Sequence, residues 1–201
     1  FGTVDMGTGS ATPTYLCAAH ATYVYFAANA NAGAGNELYR INGSTLVVSL
    51  VSNIATGSAS SNPAHLTAWN NVVYFSALGA SSEGVELYYV TSALVVGSVP
   101  VYAGTASSTP MYFAAFNSAL YFAAAGTATA REIYSLSTTN ALTKRTTTTG
   151  GAGANPYFLT AFNGRLIYSA SVTTAVGREL YSLDSSNTVA LLSDIFSGSA
   201  S

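Results

Sequence analysis

Apolar residues along this chain come in runs of strand length separated by Asn, Gly and Ser, and no stretch carries helical periodicity with caps at both ends. The clearest stretch reads His65–Trp69, a turn at Asn70-Asn71, Val72–Ala77, a Gly/Ser loop from Gly79 to Gly84, Val85–Val90, and Ala93–Gly97. Runs this rich in β-branched and aromatic residues predict a meander of four antiparallel strands. The stretch Val72-Val73-Tyr74-Phe75 is apolar without alternation, which predicts a sheet covered on both faces.

The pattern recurs. An aromatic strand followed about a dozen residues later by Glu-(Leu/Ile)-Tyr occurs as Tyr25–Ala28 with Glu37–Tyr39, Tyr74–Ala77 with Glu86–Tyr88, Tyr121–Ala124 with Glu132–Tyr134, and Ile167–Ala170 with Glu179–Tyr181. A proline precedes each pair, at Pro13, Pro63, Pro110 and Pro156, giving intervals of 50, 47 and 46 residues. A fixed period in that range means stacked supersecondary units. Four antiparallel strands in about 48 residues is the size of a propeller blade, so the predicted fold is an all-β β-propeller with four-stranded antiparallel blades. A β-solenoid would have shorter repeats and parallel strands, and a jelly roll would not need four such similar units. The repeats run approximately over 7–53, 54–100, 101–147 and 148–195 of a single propeller or propeller segment spanning 1–201. Residues 1–6 and 196–201 are assigned to flanking repeat units. This favours a segment of a longer repeat chain, with a closed four-bladed ring as the alternative.

Several polar residues take plain structural readings from their place in the repeat. Asn70, Asn117 and Asn163 fall seven residues after the repeat proline, where a tight hairpin needs tolerance of positive φ. His20 holds that place in the first repeat and is read as an exposed turn residue. His65 falls in a slot filled elsewhere by Tyr15, Tyr112 and Phe158, so it is read as a packing residue. Cys17, the only cysteine, lies between Leu16 and Ala18 in an apolar strand and is read as a small buried thiol. Asp5, Asn53 and Asp194 precede Gly and Ser, and an Asx-turn accounts for them.

Composition narrows the function classes. Hydrophobic residues make up 49% and charged residues 7%, against roughly 25% charged in an ordinary domain. That much apolar surface excludes a solvated disordered tail. The six basic residues are scattered at a net charge of -2, with Lys144-Arg145 the only adjacent pair, so no nucleic-acid footprint is predicted. No apolar run approaches the roughly 20 residues of a spanning helix. A surface of Ser, Thr, Ala, Gly and Tyr with one lysine predicts an extracellular or surface-displayed protein. Asn42-Gly43-Ser44 is a candidate glycosylation acceptor at Asn42, and the Thr146–Thr149 run a candidate for O-linked sugar.

The phrases Asp194–Ser201, Asn155-Pro156, Leu159–Gly164, Tyr74–Ala77 and Gly177–Tyr181 resemble the ELWxxDGT (hyalin-like) repeat family over essentially the whole chain. The resemblance implies large secreted or surface β-propeller arrays, with structure or adhesion as their role. The family's Trp after Glu-Leu is Tyr here, or Tyr after Glu-Ile in the third repeat. Its Asp-Gly-Thr turn is reduced to Asn42-Gly43-Ser44, Thr91-Ser92, Ser137-Thr138-Thr139 and Asp184-Ser185-Ser186.

Glu37, Glu86, Glu132 and Glu179 stand at one strand position per repeat. A ring of acids is the enzymatic reading. The structural reading makes each an internal anchor that accepts hydrogen bonds from a neighbouring strand, and it is preferred because catalytic sites depart from repeat symmetry. Arg131 and Arg178, each beside its Glu, point to the other strand face. No catalytic residue, metal ligand or cofactor is predicted; three isolated carboxylate or amide positions are too few for calcium. The function expected is a non-enzymatic extracellular structural module that associates with itself or with neighbouring repeats into a filament, sheath or matrix. The alternative is a carbohydrate-binding, adhesive propeller in which Trp69, Tyr89 and Tyr157 stack on sugar rings.

Overall fold

The computed structural model describes residues 10–29, 33–80, 83–102, 104–127, 130–147, 154–172 and 177–195. The flanking segments 1–6 and 196–201, Asp5, Thr148 and Thr149 lie outside the described residues. Two compact units divide the chain, Phe1–Thr109 and Pro110–Ser201.

Every described element is a strand. Unit 1 holds β1 (Thr14–Ala19), β2 (Tyr23–Asn29), β3 (Asn36–Asn42) and β4 (Val48–Ser52), then β5 (Ala64–Trp69), β6 (Val72–Leu78), β7 (Val85–Thr91) and β8 (Val96–Val99). Unit 2 holds β9 (Met111–Phe116), β10 (Ala119–Thr127), β11 (Ala130–Leu136) and β12 (Leu142–Lys144), then β13 (Tyr157–Phe162), β14 (Arg165–Ala170), β15 (Glu179–Asp184) and β16 (Val189–Ser193). Each set of four forms its own antiparallel sheet in chain order, so every repeat is a complete meander.

The two repeated phrases are the middle strands of each sheet, and their registers bring the same partners together. Phe26 lies opposite Tyr39, Phe75 opposite Tyr88, Phe122 opposite Tyr134 and Tyr168 opposite Tyr181. These pairs stack with centroids 6.2, 6.0, 6.1 and 6.2 Å apart. Cross-strand aromatic pairs of this kind hold register, because a slip of one residue would carry the whole apolar set to the opposite face.

Within each unit one sheet lays a forward face on the backward face of the next. In unit 1, Tyr25 and Leu38 of the first sheet pack with Val73, Phe75, Ala77, Tyr88 and Val90 of the second. In unit 2, Tyr121, Ala123 and Ile133 of the third sheet pack with Leu166, Tyr168, Ala170, Tyr181 and Leu183 of the fourth. The same repeat positions thus build both cores. Burial on both sheet faces is why the central strands lack apolar/polar alternation.

The backbone repeats as faithfully as the side chains. Among the described residues nineteen non-glycine residues have positive φ, and all fall at four places in the repeat. Thr12, Asn62, Thr109 and Asn155 directly precede the repeat proline; Tyr15, His65, Tyr112 and Phe158 form a bulge in the first strand of each sheet. His20-Ala21, Asn70-Asn71, Asn117-Ser118 and Asn163-Gly164 make the first hairpin, and Leu46, Leu94, Asn140 and Asn187 close the turn between the third and fourth strands. Positive φ at both central residues gives the type I′ twist that antiparallel strands need.

Two details differ from the sequence reading. The fourth strand of the second repeat is Val96–Val99, whereas Ala93–Gly97 was the expected run. Ala93 and Leu94 belong to the turn, where the Thr91 carbonyl accepts the Leu94 N–H at 2.9 Å and Leu94 has φ 62. The first repeat is longer partly because its hairpin loop spans His20 to Thr22, whereas the second closes over Asn70-Asn71.

Candidate functional site

The four repeated glutamates are buried, and their carboxylates are engaged by the segment that leads out of each sheet. Glu37 accepts N–H bonds from Ile54 at 2.9 Å, Ser61 at 2.9 Å and Ala55 at 3.4 Å, and the Ser61 hydroxyl donates to it at 2.6 Å. Glu86 accepts from Val101 N–H at 2.7 Å, Tyr102 N–H at 3.3 Å, Ser108 N–H at 3.2 Å and the Ser108 hydroxyl at 2.8 Å. Glu179 accepts the Ile195 N–H at 2.8 Å. The donors lie in the connections, not in a neighbouring strand. Each carboxylate therefore folds the chain back against its own sheet before the next repeat begins.

The third repeat reaches the same end with a different hydroxyl. Ala154 occupies the place of Ser61 and Ser108, and Thr146 supplies the donor, with Oγ1 at 2.6 Å from the Glu132 carboxylate. The same oxygen accepts the Ile133 N–H at 2.9 Å. Thr146 is buried, so its hydroxyl does not face solvent and the reading of Thr146 as an O-glycan acceptor is corrected. Its role could have been suspected from the missing serine at Ala154.

The three aromatic candidates do not form one site. Trp69 and Tyr89 are half-buried in unit 1, on either side of buried Tyr74 with centroids 6.0 and 6.3 Å from it. They act there as inter-ring packing. Tyr157 belongs to unit 2 and is more open. Tyr112 lies 5.4 Å from its ring and Phe158 6.0 Å, and the Arg178 guanidinium covers it at 4.4 Å. Arg178 donates to the backbone oxygens of Asn155 at 2.9 Å and Ser169 at 3.4 Å. Arg131 of the same unit is held below the usual arginine range by burial, an effect opposed by the electrostatic influence of Tyr157 and Tyr112. Tyr112, Phe158 and the arginines were not singled out beforehand as partners of Tyr157; the bulge that brings Tyr112 within 5.1 Å of Phe158 joins strands of different repeats.

The remaining polar candidates resolve into local structure. His20 is a turn residue with φ 50, but its ring is half-buried, not exposed. Its Nδ1 lies 2.8 Å from the Tyr25 hydroxyl and its Nε2 3.0 Å from the Asn71 carbonyl, so it ties the first hairpin of one repeat to that of the next. A carbonyl can only accept, which places the proton on Nε2 when the ring is neutral. Cys17 is half-buried, and burial pushes its thiol pKa up, the direction of an unreactive cysteine. Asn42 Oδ1 accepts the N–H groups of Ser44 at 2.9 Å and Thr45 at 3.0 Å. Asp184 does the same for Ser186 and Thr188 at 2.9 and 2.8 Å. Asn53 does not make the expected Asx-turn through its oxygen: its amide nitrogen donates to the Gly57 carbonyl at 3.2 Å.

No chemistry converges elsewhere among the described residues. No three His, Cys, Asp or Glu side chains are placed to hold a metal ion, and no helix is long and apolar enough to cross a membrane. A depression of about 450 Å³ is lined by Ala21, Thr22, Tyr23, Val24, Gly43 and Ser44, with backbone and small side chains as its walls.

No protein-family model and no curated protein matches the chain. Solved structures do match. A puromycin hydrolase superposes with TM-score 0.61 at 12% identity over 90% of this chain and 28% of its own. A prolyl endopeptidase gives 0.59 at 16% identity over 92% and 27%, and a putative TolB from Agrobacterium tumefaciens 0.52 at 12% over 89% and 63%. The chain spans little more than a quarter of the two hydrolytic enzymes. Likeness at this identity shows the fold alone, and that fold is the β-propeller, with the four sheets as its blades.

Proposed function

We propose that the chain is a non-enzymatic structural and assembly module of an extracellular or cell-surface protein, a repeat scaffold for a filament, sheath or matrix. One observation carries the reading: large apolar side chains, among them Leu16, Phe158, Phe162 and Ile195, stand exposed on a chain with only 7% charged residues. Exposed apolar surface without charge to keep molecules apart favours association. The repeated acids support the same reading, since Glu37 and Glu86 are each engaged by four hydrogen-bond donors that hold the fold together. The resemblance to ELWxxDGT repeats points the same way. The peptidase chemistry of the structural neighbours is no part of the proposal. Electron microscopy and sedimentation of the purified chain should show polymer or growing assemblies as concentration rises; a chain that stays monomeric throughout would remove the reading.

A carbohydrate-binding role is the second reading, and it rests on the open cluster of Tyr157, Tyr112 and Phe158 with Arg178 above it. An aromatic platform edged by a guanidinium suits a sugar ring that offers an apolar face and hydroxyl acceptors. Titration with sugars at millimolar concentration should shift the Tyr157 and Phe158 ring resonances, and unchanged spectra would end this reading.

A further inference from the structure

The first and last sheets expose the very positions that the other repeats bury. On the backward face of the first sheet, Val24 and Ile41 are half-buried opposite one another. Their counterparts Val73 with Val90, Leu120 with Leu136, and Leu166 with Leu183 are all fully buried. Phe26 is half-buried where Phe75, Phe122 and Tyr168 are closed off. Leu16 is 70% exposed, whereas Leu159, which also follows the bulge residue, is 7% exposed and packed in the core of unit 2.

The forward face of the fourth sheet shows the complementary deficit. Leu180 is half-buried where Leu38, Leu87 and Ile133 are fully buried. Phe162 is 71% exposed, while Phe116 in the same place of the third repeat packs against the core. Ile195 is 73% exposed, while Ile54, which likewise donates its N–H to the repeat glutamate, packs into the core of unit 1. A hollow of about 270 Å³ opens between Leu180, Ile195, Ser169 and Arg178.

What covers such faces is visible twice within the molecule. The forward face of the first sheet takes the backward face of the second, and the forward face of the third takes the backward face of the fourth. We propose that the forward face of the fourth sheet docks the backward face of the first sheet of a second copy of this chain, repeating the blade-to-blade packing between molecules. The contact is head-to-tail and heterologous, so each copy keeps one free face at each end and assembly continues until a ring closes or a filament forms. This names the partner and the surfaces for the assembly role proposed above and rests on that reading.

Leu16→Glu and Phe162→Glu each place a charge on one of the two faces at a position already in solvent, so both variants keep the folded spectrum by circular dichroism. In sedimentation velocity the unsubstituted chain should grow in mass with concentration, and either variant alone should remain monomeric. An equimolar mixture of the two should give dimers and nothing larger, because Leu16→Glu retains a working forward face and Phe162→Glu a working backward face. Growth that persists in both variants, or a mixture that stays monomeric while the unsubstituted chain assembles, would overturn head-to-tail docking and leave the scaffold role standing. An unsubstituted chain that is monomeric at every concentration would overturn both.

Discussion

Thr146→Val offers the sharpest test of how the repeats are fastened. Valine keeps the shape of the side chain and removes only the hydroxyl, which donates to Glu132 at 2.6 Å and accepts the Ile133 N–H at 2.9 Å. A hydrogen bond to a charged group contributes about 1.5–3 kcal/mol, and a buried N–H left without its acceptor costs about 1–3 kcal/mol. Glu132 keeps its other interactions, so the sum lies toward the low end, at about 3 kcal/mol. With a urea dependence of about 2–3 kcal/mol per molar for a chain of this size, the unfolding midpoint should fall by about 1–1.5 M. Thr146→Ser retains the hydroxyl and loses one methyl group, worth about 0.8 kcal/mol. It should recover most of the loss. If Thr146→Val left the midpoint unchanged, or if serine were as damaging as valine, the anchoring role of the hydroxyl would be wrong.

Other perturbations have equally definite outcomes. Phe75→Ala, at a fully buried position, should cost about 3–5 kcal/mol, and Phe26→Ala, at the half-buried counterpart in the first repeat, about 1–2 kcal/mol in dilute chemical denaturation; equal costs would contradict the open backward face. Gly84→Ala drives a methyl group into the backbone carbonyl of Ala106 and should cost about 3 kcal/mol, while Gly57→Ala, with φ +83 but open space around it, should cost about 1 kcal/mol by thermal melting. Burial raises the pKa of Tyr25, Tyr39, Tyr74, Tyr88, Tyr121, Tyr134, Tyr168 and Tyr181 above the free value of 10.0. The unfolded chain therefore releases these protons first, so stability should be level below pH 10 and fall above it. Phenolate absorbance that rose fully at pH 10 with the fold intact would refute this.

Much of the architecture was legible because its determinants are local and recur. The Glu-(Leu/Ile)-Tyr phrase and the aromatic phrase before it fall at constant spacing, and the Asn-Asn, Asn-Ser and Asn-Gly pairs mark hairpins whose φ values demand such residues. The fourth strand was misplaced because Ala93 and Leu94 look like strand residues, and only the turn bonds of Thr91 show otherwise. Thr146 escaped notice for another reason. Its function depends on Glu132, fourteen positions away, and on an alanine elsewhere that fails to supply a hydroxyl. Trp69, Tyr89 and Tyr157 look alike in sequence, but burial in one unit and openness in the other separate them, and burial is a property of the assembled sheets.

The left-handed turn between the third and fourth strands makes the chain its own template for redesign. Asn140 and Asn187 occupy it with φ 60 and 63, while Leu46 and Leu94 hold φ 56 and 62 at the matching places with side chains exposed to water. A leucine there carries a steric penalty of about 1–2 kcal/mol that asparagine largely avoids. Copying the later repeats into the earlier ones, as Leu46→Asn and Leu94→Asn, would therefore yield a sturdier and more soluble molecule with no new contact designed. Two of its four units already contain the improved version.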